Sequence, residues 1–162
     1  MKGKARFVYT SGMSFQPTPV PGLASPYEEV GGLVYFKRMV SKIRLHAEGK
    51  LPESHHPNLG KAFDERCLTL LGISYDVLVT KALEQPPLSD EALLEWAFAT
   101  GRHPGSEAIE IWNAFMMKRG WRDAANGILQ KRIREAGLPE DGSIATMFDF
   151  IDADEGRPPR YP

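Results

Sequence analysis

The sequence predicts an all-α fold, a compact single domain of about six or seven short helices with an irregular N-terminal arm. Two observations carry that reading. Apolar residues recur three and four positions apart in segment after segment, each bounded by capping residues or glycine, and no stretch alternates apolar with polar side chains as a half-buried strand would. The chain has 162 residues, 42% hydrophobic and 25% charged, which suits a packed core rather than a disordered chain. No internal repeat is visible.

Residues 1–24 contain "QPTPVPG" and little periodicity, which marks an arm; the helical domain is expected over 25–157 and a tail over 158–162. "SPYE" reads as a helix start, with Ser25 as N-cap, Pro26 at the first helical position and Glu28 reaching back. The stripe Leu33, Phe36, Val40, Ile43 and Ala47 follows and ends before Gly49, while Gly31 and Gly32 imply a break, a kink or a close backbone approach. Phe63, Cys67, Leu70 and Leu71 share one face of a second helix that Gly72 stops, and a third spans Tyr75 to Leu83. Ser89 caps a fourth, whose apolar face is Leu93, Leu94, Ala97 and Phe98. The fifth carries Ala108, Ile111, Trp112, Phe115 and Met116; Gly120 is its expected C′ residue, with Trp121 packing back on Met116 in Schellman geometry. Asp123 is expected to cap the sixth, which carries Ile128, Leu129, Ile133 and Ala136. The last uses Ile144, Met147, Phe148 and Ile151 before "GRPPRYP" prevents continuation.

Charge and cysteine content narrow the function. With 20 basic and 21 acidic residues the net charge is -1, so no global field favours a polyanion and nucleic acid is not an expected partner. The single cysteine permits neither an internal disulfide nor a zinc site of the Cys-x-x-Cys type, which suits a reducing compartment. The start, "MKGKARFVYTSGMSF", lacks the apolar run of a signal peptide, and no later segment has the apolar length of a membrane span. A cytoplasmic protein without a membrane partner is expected.

Four stretches hold the residues capable of chemistry. In "ESHHPNLGKAFDERC", Pro57 is expected to hold His56 extended, Asn58 can cap the following helix, and His56 could be brought near Asp64 and the Cys67 thiol. Cys67 shares its face with Phe63 and Leu70, however, and burial there would leave the thiol inert. His46 and His103 add no metal-ligand spacing, and "LGKA" lacks the remainder of a phosphate loop. "KRGWRD" gathers Lys118, Arg119, Arg122 and Asp123 at a helix junction, where guanidinium groups could hold a carboxylate or phosphate, although helix capping explains most of the same letters. "FDFIDADEGR" crowds Asp149, Asp152, Asp154 and Glu155 near a helix C-terminus, against the macrodipole, so ion pairing with "KRGWRD" is expected. An EF-hand is excluded by the position of Gly156. Asn113, beside the stripe of the fifth helix, reads as a hydrogen-bonded polar group between helices.

"GGLVYFKRM", "HPNLGKAFDERC", "IWNAFMMKRGWRD" and "FDFIDADEGR", in that order, resemble a bacterial family of uncharacterised proteins, the domain of unknown function 5069, over roughly Ser25 to Arg157. The resemblance implies a standalone small bacterial protein and brings no assigned activity. The chain departs from it at Ala62, where relatives often show glycine, and at His103, where they often show arginine.

Two readings stay open. One is a small-molecule or anion-binding domain, with enzymatic activity undecided, whose polar pocket draws on His56, Asn58, Asp64, Arg119, Arg122 and Asp149. In it His56 and Asp64 are the candidates for catalysis, with His56 moving the proton, while Asn58, Arg119, Arg122 and Asp149 bind the ligand. The other is an interaction module or homodimer without catalytic activity. The sequence assigns neither cofactor nor metal.

Overall fold

The computed structural model describes residues 15–161. Among these a short antiparallel hairpin, β1 (Glu29–Val30) and β2 (Leu33–Val34), precedes α1 (Phe36–Ala47), a 3-10 turn over Glu53–Asn58, α2 (Phe63–Leu71), α3 (Tyr75–Ala82), α4 (Asp90–Thr100), α5 (Ser106–Lys118), α6 (Asn126–Ala136) and α7 (Met147–Asp154). The fold is all-α in architecture, with the hairpin its one sheet among the described residues.

The hairpin corrects the expected first helix. The bonds anticipated for "SPYE" do form, the Ser25 amide donating to Glu28 Oε1 and the Tyr27 amide to Ser25 Oγ, but they close a turn. Gly31 and Gly32 sit at φ 55° and 76°, as a two-residue type I′ turn requires, and Val30 pairs with Leu33. Asn113 on α5 fixes the hairpin by accepting the Val34 amide and donating to the Gly32 carbonyl. It therefore bridges helix and hairpin rather than two helices.

Two apolar clusters divide the core. The larger joins Leu33, Phe36, Met39, Leu71, Leu94, Met116 and Phe148, all fully or almost fully buried. The smaller joins α6 to α7 through Leu129, Ile133 and Met147. Burying each such side chain contributes about 1.5–3 kcal/mol. Adjacent residues of α7 serve both clusters, Phe148 one and Met147 the other, and Phe63 at the start of α2 packs against each. The seam between the clusters is where the cleft described below opens.

Several ends differ from expectation. Trp121 donates its amide to the Lys118 carbonyl, not to that of Met116 as Schellman geometry requires, and stays half exposed beneath the Arg122 guanidinium. Asp123 caps the turn before α6, accepting from the Gly120 and Ala125 amides, while α6 itself begins without a side-chain cap. α7 starts at Met147, leaving Ile144 outside it, with Thr146 and Asp149 forming a capping box. Asp149 therefore lies in the first turn, where the macrodipole favours its charge, not at the C-terminus.

Of the N-terminal arm, residues 1–14 lie outside the described residues. Val20 and Leu23 pack with Leu45 and Leu51, and the Thr18 amide donates to the Asp154 carbonyl. No helix among the described residues is long and apolar enough to cross a membrane.

Candidate functional site

A cleft of about 430 Å³ opens where α1, the 3-10 turn, α2, α6 and α7 meet at that seam. α1 contributes Tyr35, Arg38 and Lys42, spaced to share one side of the helix; the turn contributes Ser54, His55 and Asn58. Lys61, Ala62, Phe63 and Arg66 come from the start of α2, Arg119 from the end of α5, and Ala125, Ile128 and Arg132 from α6. Met147, Phe150, Ile151, Asp154 and Glu155 line it along α7, at spacings of three and four.

The charges around this cleft fall into two sets. Arg38 and Glu155 are buried and joined by two hydrogen bonds of 2.5 and 3.0 Å, and Glu155 also accepts from Arg157 at 2.5 Å. His55 Nε2 stands 3.6 Å from the same carboxylate. Burial alone would raise the Glu155 pKa, but these donors outweigh it and hold the carboxyl down to about 2. Lys42 donates to Asp64 at 2.6 Å, and Asp64, wholly inaccessible, also accepts from the Tyr35 hydroxyl at 2.8 Å and the Gly60 amide at 3.0 Å. Burial pulls the Lys42 pKa down against that attraction and pushes the Tyr35 hydroxyl well up.

The second set has no such partners. Among the described residues Lys61, Arg66 and Arg132 form no hydrogen bond or ion pair through their side chains, nor does Asp154. The Arg66 and Arg119 guanidinium carbons lie 5.4 and 5.6 Å from the centre of the Phe115 ring, and Arg119, unlike Arg66, also donates to Asp123 at 3.1 Å. Burial, then the charge of Glu155, holds the Asp154 carboxyl above its usual range.

The backbone is strained at the same place. Tyr35 and Ala62, which line the cleft and cap α1 and α2, have φ of 75° and 54°. Such positions cost non-glycine residues on the order of 1–3 kcal/mol. Ala62, with ψ of -118°, holds a conformation natural to glycine, and no side chain caps α2 behind it. Gly60, two residues earlier, cannot be replaced in kind, because a Cβ there would stand 2.7 Å from the Tyr75 ring.

Of the residues singled out in the sequence, Asn58 and Arg119 line the cleft. Asp64 lies beneath it, sealed behind Tyr35 and Lys42. His56, in the 3-10 turn rather than extended, points its Nε2 to the Leu51 carbonyl at 3.0 Å and its ring edge to His46. Asn58 does not cap α2, whose N-cap is Ala62. Arg122 lies over Trp121, and Asp149 accepts the Tyr27 hydroxyl at 2.6 Å besides closing its capping box. The expected ion pairing between "KRGWRD" and "FDFIDADEGR" does not form among the described residues: Arg119 pairs with Asp123 and accepts the amide of Met147, just before the acidic stretch, and Asp152 and Glu155 pair with Arg38 and Arg157. Cys67 is fully buried, which drives its thiol pKa up and makes it no thiolate nucleophile. His103 lies against Phe98.

Sequence reasoning missed Tyr35, Arg38, Lys42, Lys61, Arg66 and Arg132, and singled out Asp154 and Glu155 only with "KRGWRD" as their expected partner. One signal was available: Arg38 and Lys42 interrupt the side of α1 that carries Met39, Val40 and Ile43, and cations on an apolar face announce buried partners. Among the described residues no group of three histidine, cysteine or acidic side chains is placed to hold a metal ion.

No curated protein matches the sequence. A family model does match, over residues 20–157, which spans the hairpin, all seven α-helices and every residue of the cleft. The chain thus belongs to the family described as domain of unknown function DUF5069.

Proposed function

We propose that the protein binds a small organic anion, bearing a carboxylate or phosphate, in the cleft between α1, α2, α6 and α7. The observation that carries this reading is that Lys61, Arg66 and Arg132 line one concavity and none of them forms an ion pair among the described residues. Unpaired cations in a walled cleft raise the local concentration of anions, and guanidinium groups offer two parallel donors to a planar acid group. Phe63, Met147, Phe150 and Ile151 supply an apolar surface for the rest of such a ligand, and the volume falls within the range of small-molecule sites. If the bound anion is also transformed, His55 and Asp154 are the titratable groups available at the cleft wall, in place of His56. A bacterial and cytoplasmic setting belongs to the same proposal.

The test is thermal unfolding of the purified chain against a panel of carboxylates and phosphate monoesters, each paired with a neutral analogue. A ligand at a hundredfold excess over its Kd is expected to raise the midpoint by roughly 5–10 °C, less so at high salt. A panel in which no anion shifts the midpoint more than its neutral analogue ends this reading.

The second reading, a homodimer, is favoured by one observation. Ile111, Phe115, Trp121 and Ile128 on and after α5 are 64%, 40%, 49% and 54% exposed. Light scattering after gel filtration decides it, since a monomeric mass at high concentration rules out a stable pair.

A further inference from the structure

The cleft carries charged side chains at both ends of α7 and apolar ones between them. Arg119 is tied to the start of α7 by the bond from the Met147 amide to its carbonyl, and its guanidinium, paired with Asp123, lies near the Phe115 ring as does that of the unpaired Arg66. Asp154 lies at the other end of α7, seven residues on, and a helix rises about 1.5 Å per residue, which separates the two ends by roughly 10 Å. Phe150 and Ile151, between them along α7, line the cleft with apolar surface. The two acids at the far end differ. Glu155 is saturated by Arg38 and Arg157, whereas the Asp154 side chain has no partner among the described residues.

Resting on the anion-binding reading, we propose that the ligand is dipolar: an organic acid that also carries a protonated amine, its acid group held at the Arg66 and Arg119 end and its ammonium by Asp154. Asp154 feels His55 and Arg38 only at a distance, with no hydrogen bond or ion pair of its own among the described residues, and a purely anionic ligand would bring a second negative charge towards it. An ammonium separated from the acid group by an apolar chain answers both ends and covers Phe150 and Ile151 between them. Partial burial already disfavours the charged form of Asp154, the state in which a carboxylate gains most from a cation. Glu155, already paired, does not compete for that cation.

The experiment is titration calorimetry of the full chain with unbranched ω-amino carboxylates, from aminobutanoate to aminodecanoate, beside the plain carboxylates of equal length. Within this series one chain length or two neighbouring lengths are expected to bind about tenfold more tightly than the amine-free acid, the worth of one charge-assisted contact. In Asp154→Asn and Asp154→Ala that gain disappears while the plain carboxylate binds at least as tightly as to wild type, which also certifies the fold. An amine that adds nothing at any length, or a gain that survives both substitutions, overturns the dipolar ligand and leaves anion binding standing. If neither series binds the wild-type chain, the anion-binding reading falls and this inference with it.

Discussion

Arg38 and Lys42 on one wall of the cleft and Lys61 and Arg132 on the others are the same residue types under opposite conditions. The first two are only 4% exposed, and each meets a carboxylate supplied by a distant segment. The second two stand at the mouth with no partner among the described residues. A buried cation must be neutralised, because leaving it unpaired costs several kcal/mol, so its partner is part of the fold. A solvated cation carries no such requirement, so stability alone gives no reason to gather several of them round one concavity. The difference separates charges that hold the domain together from charges free to hold something else.

The comparison breaks first at Asp64. It receives Lys42, the Tyr35 hydroxyl and the Gly60 amide, so Asp64→Ala strands a buried ammonium and two donors together. A loss of about 3–5 kcal/mol is expected in denaturant unfolding at neutral pH. A loss below about 1 kcal/mol would mean that Lys42 reaches water on its own and that the two walls do not differ as described.

Glu155 gives the next largest effect, with a pH signature. Its folded pKa lies near 2, below the ordinary 4.5, so its ion pairs stabilise fully above the unfolded value and are lost as pH falls from about 4.5 to 2. Roughly 2 kcal/mol should vanish across that window, after allowance for partial solvation. Burial raises Asp152 and Asp154, which lean the other way and blunt the acid limb of the wild type. Comparison with Glu155→Gln isolates the term: the variant should be less stable at neutral pH and flatter between pH 4.5 and 2. Parallel acid limbs in the two proteins would show that Glu155 is not held ionised by its neighbours.

How much of this could be read from the sequence follows the same division between local and distant. α2 was legible because Phe63, Cys67 and Leu71 repeat at helical spacing and Gly72 takes a left-handed C-cap; α4 was legible from Ser89 and the stripe behind it. All of that information lies within a dozen residues. The first helix was placed too early because the side chains of a capping box also close a turn, and only the positive φ of Gly31 and Gly32 separates the outcomes. The cleft was not legible because Arg38 and Glu155 stand 117 positions apart, and no spacing rule reaches that far. Asn58 and Arg119 do lie in the lining of the cleft, while His56, Arg122 and Asp149 are engaged by local partners, a carbonyl, an indole and a capping box, that any polar residue near a turn can acquire.

The smallest effect on stability is the most telling for function. Lys61→Ala and Arg132→Ala remove cations with no carboxylate to abandon, so each should change the unfolding free energy by no more than about 0.5 kcal/mol. Removing one of several like charges that face a common space relieves repulsion, and a slight gain in stability is the expected sign. The same substitutions should weaken any anion found by the thermal panel several-fold and reduce its dependence on salt, since each deletes a charge from the field that attracts it. A substitution that costs 2 kcal/mol or more would expose a structural partner and move that residue to the side of Arg38 and Lys42. A cation that can be lost without harm to the fold, but not without harm to binding, is what separates a site from a scaffold.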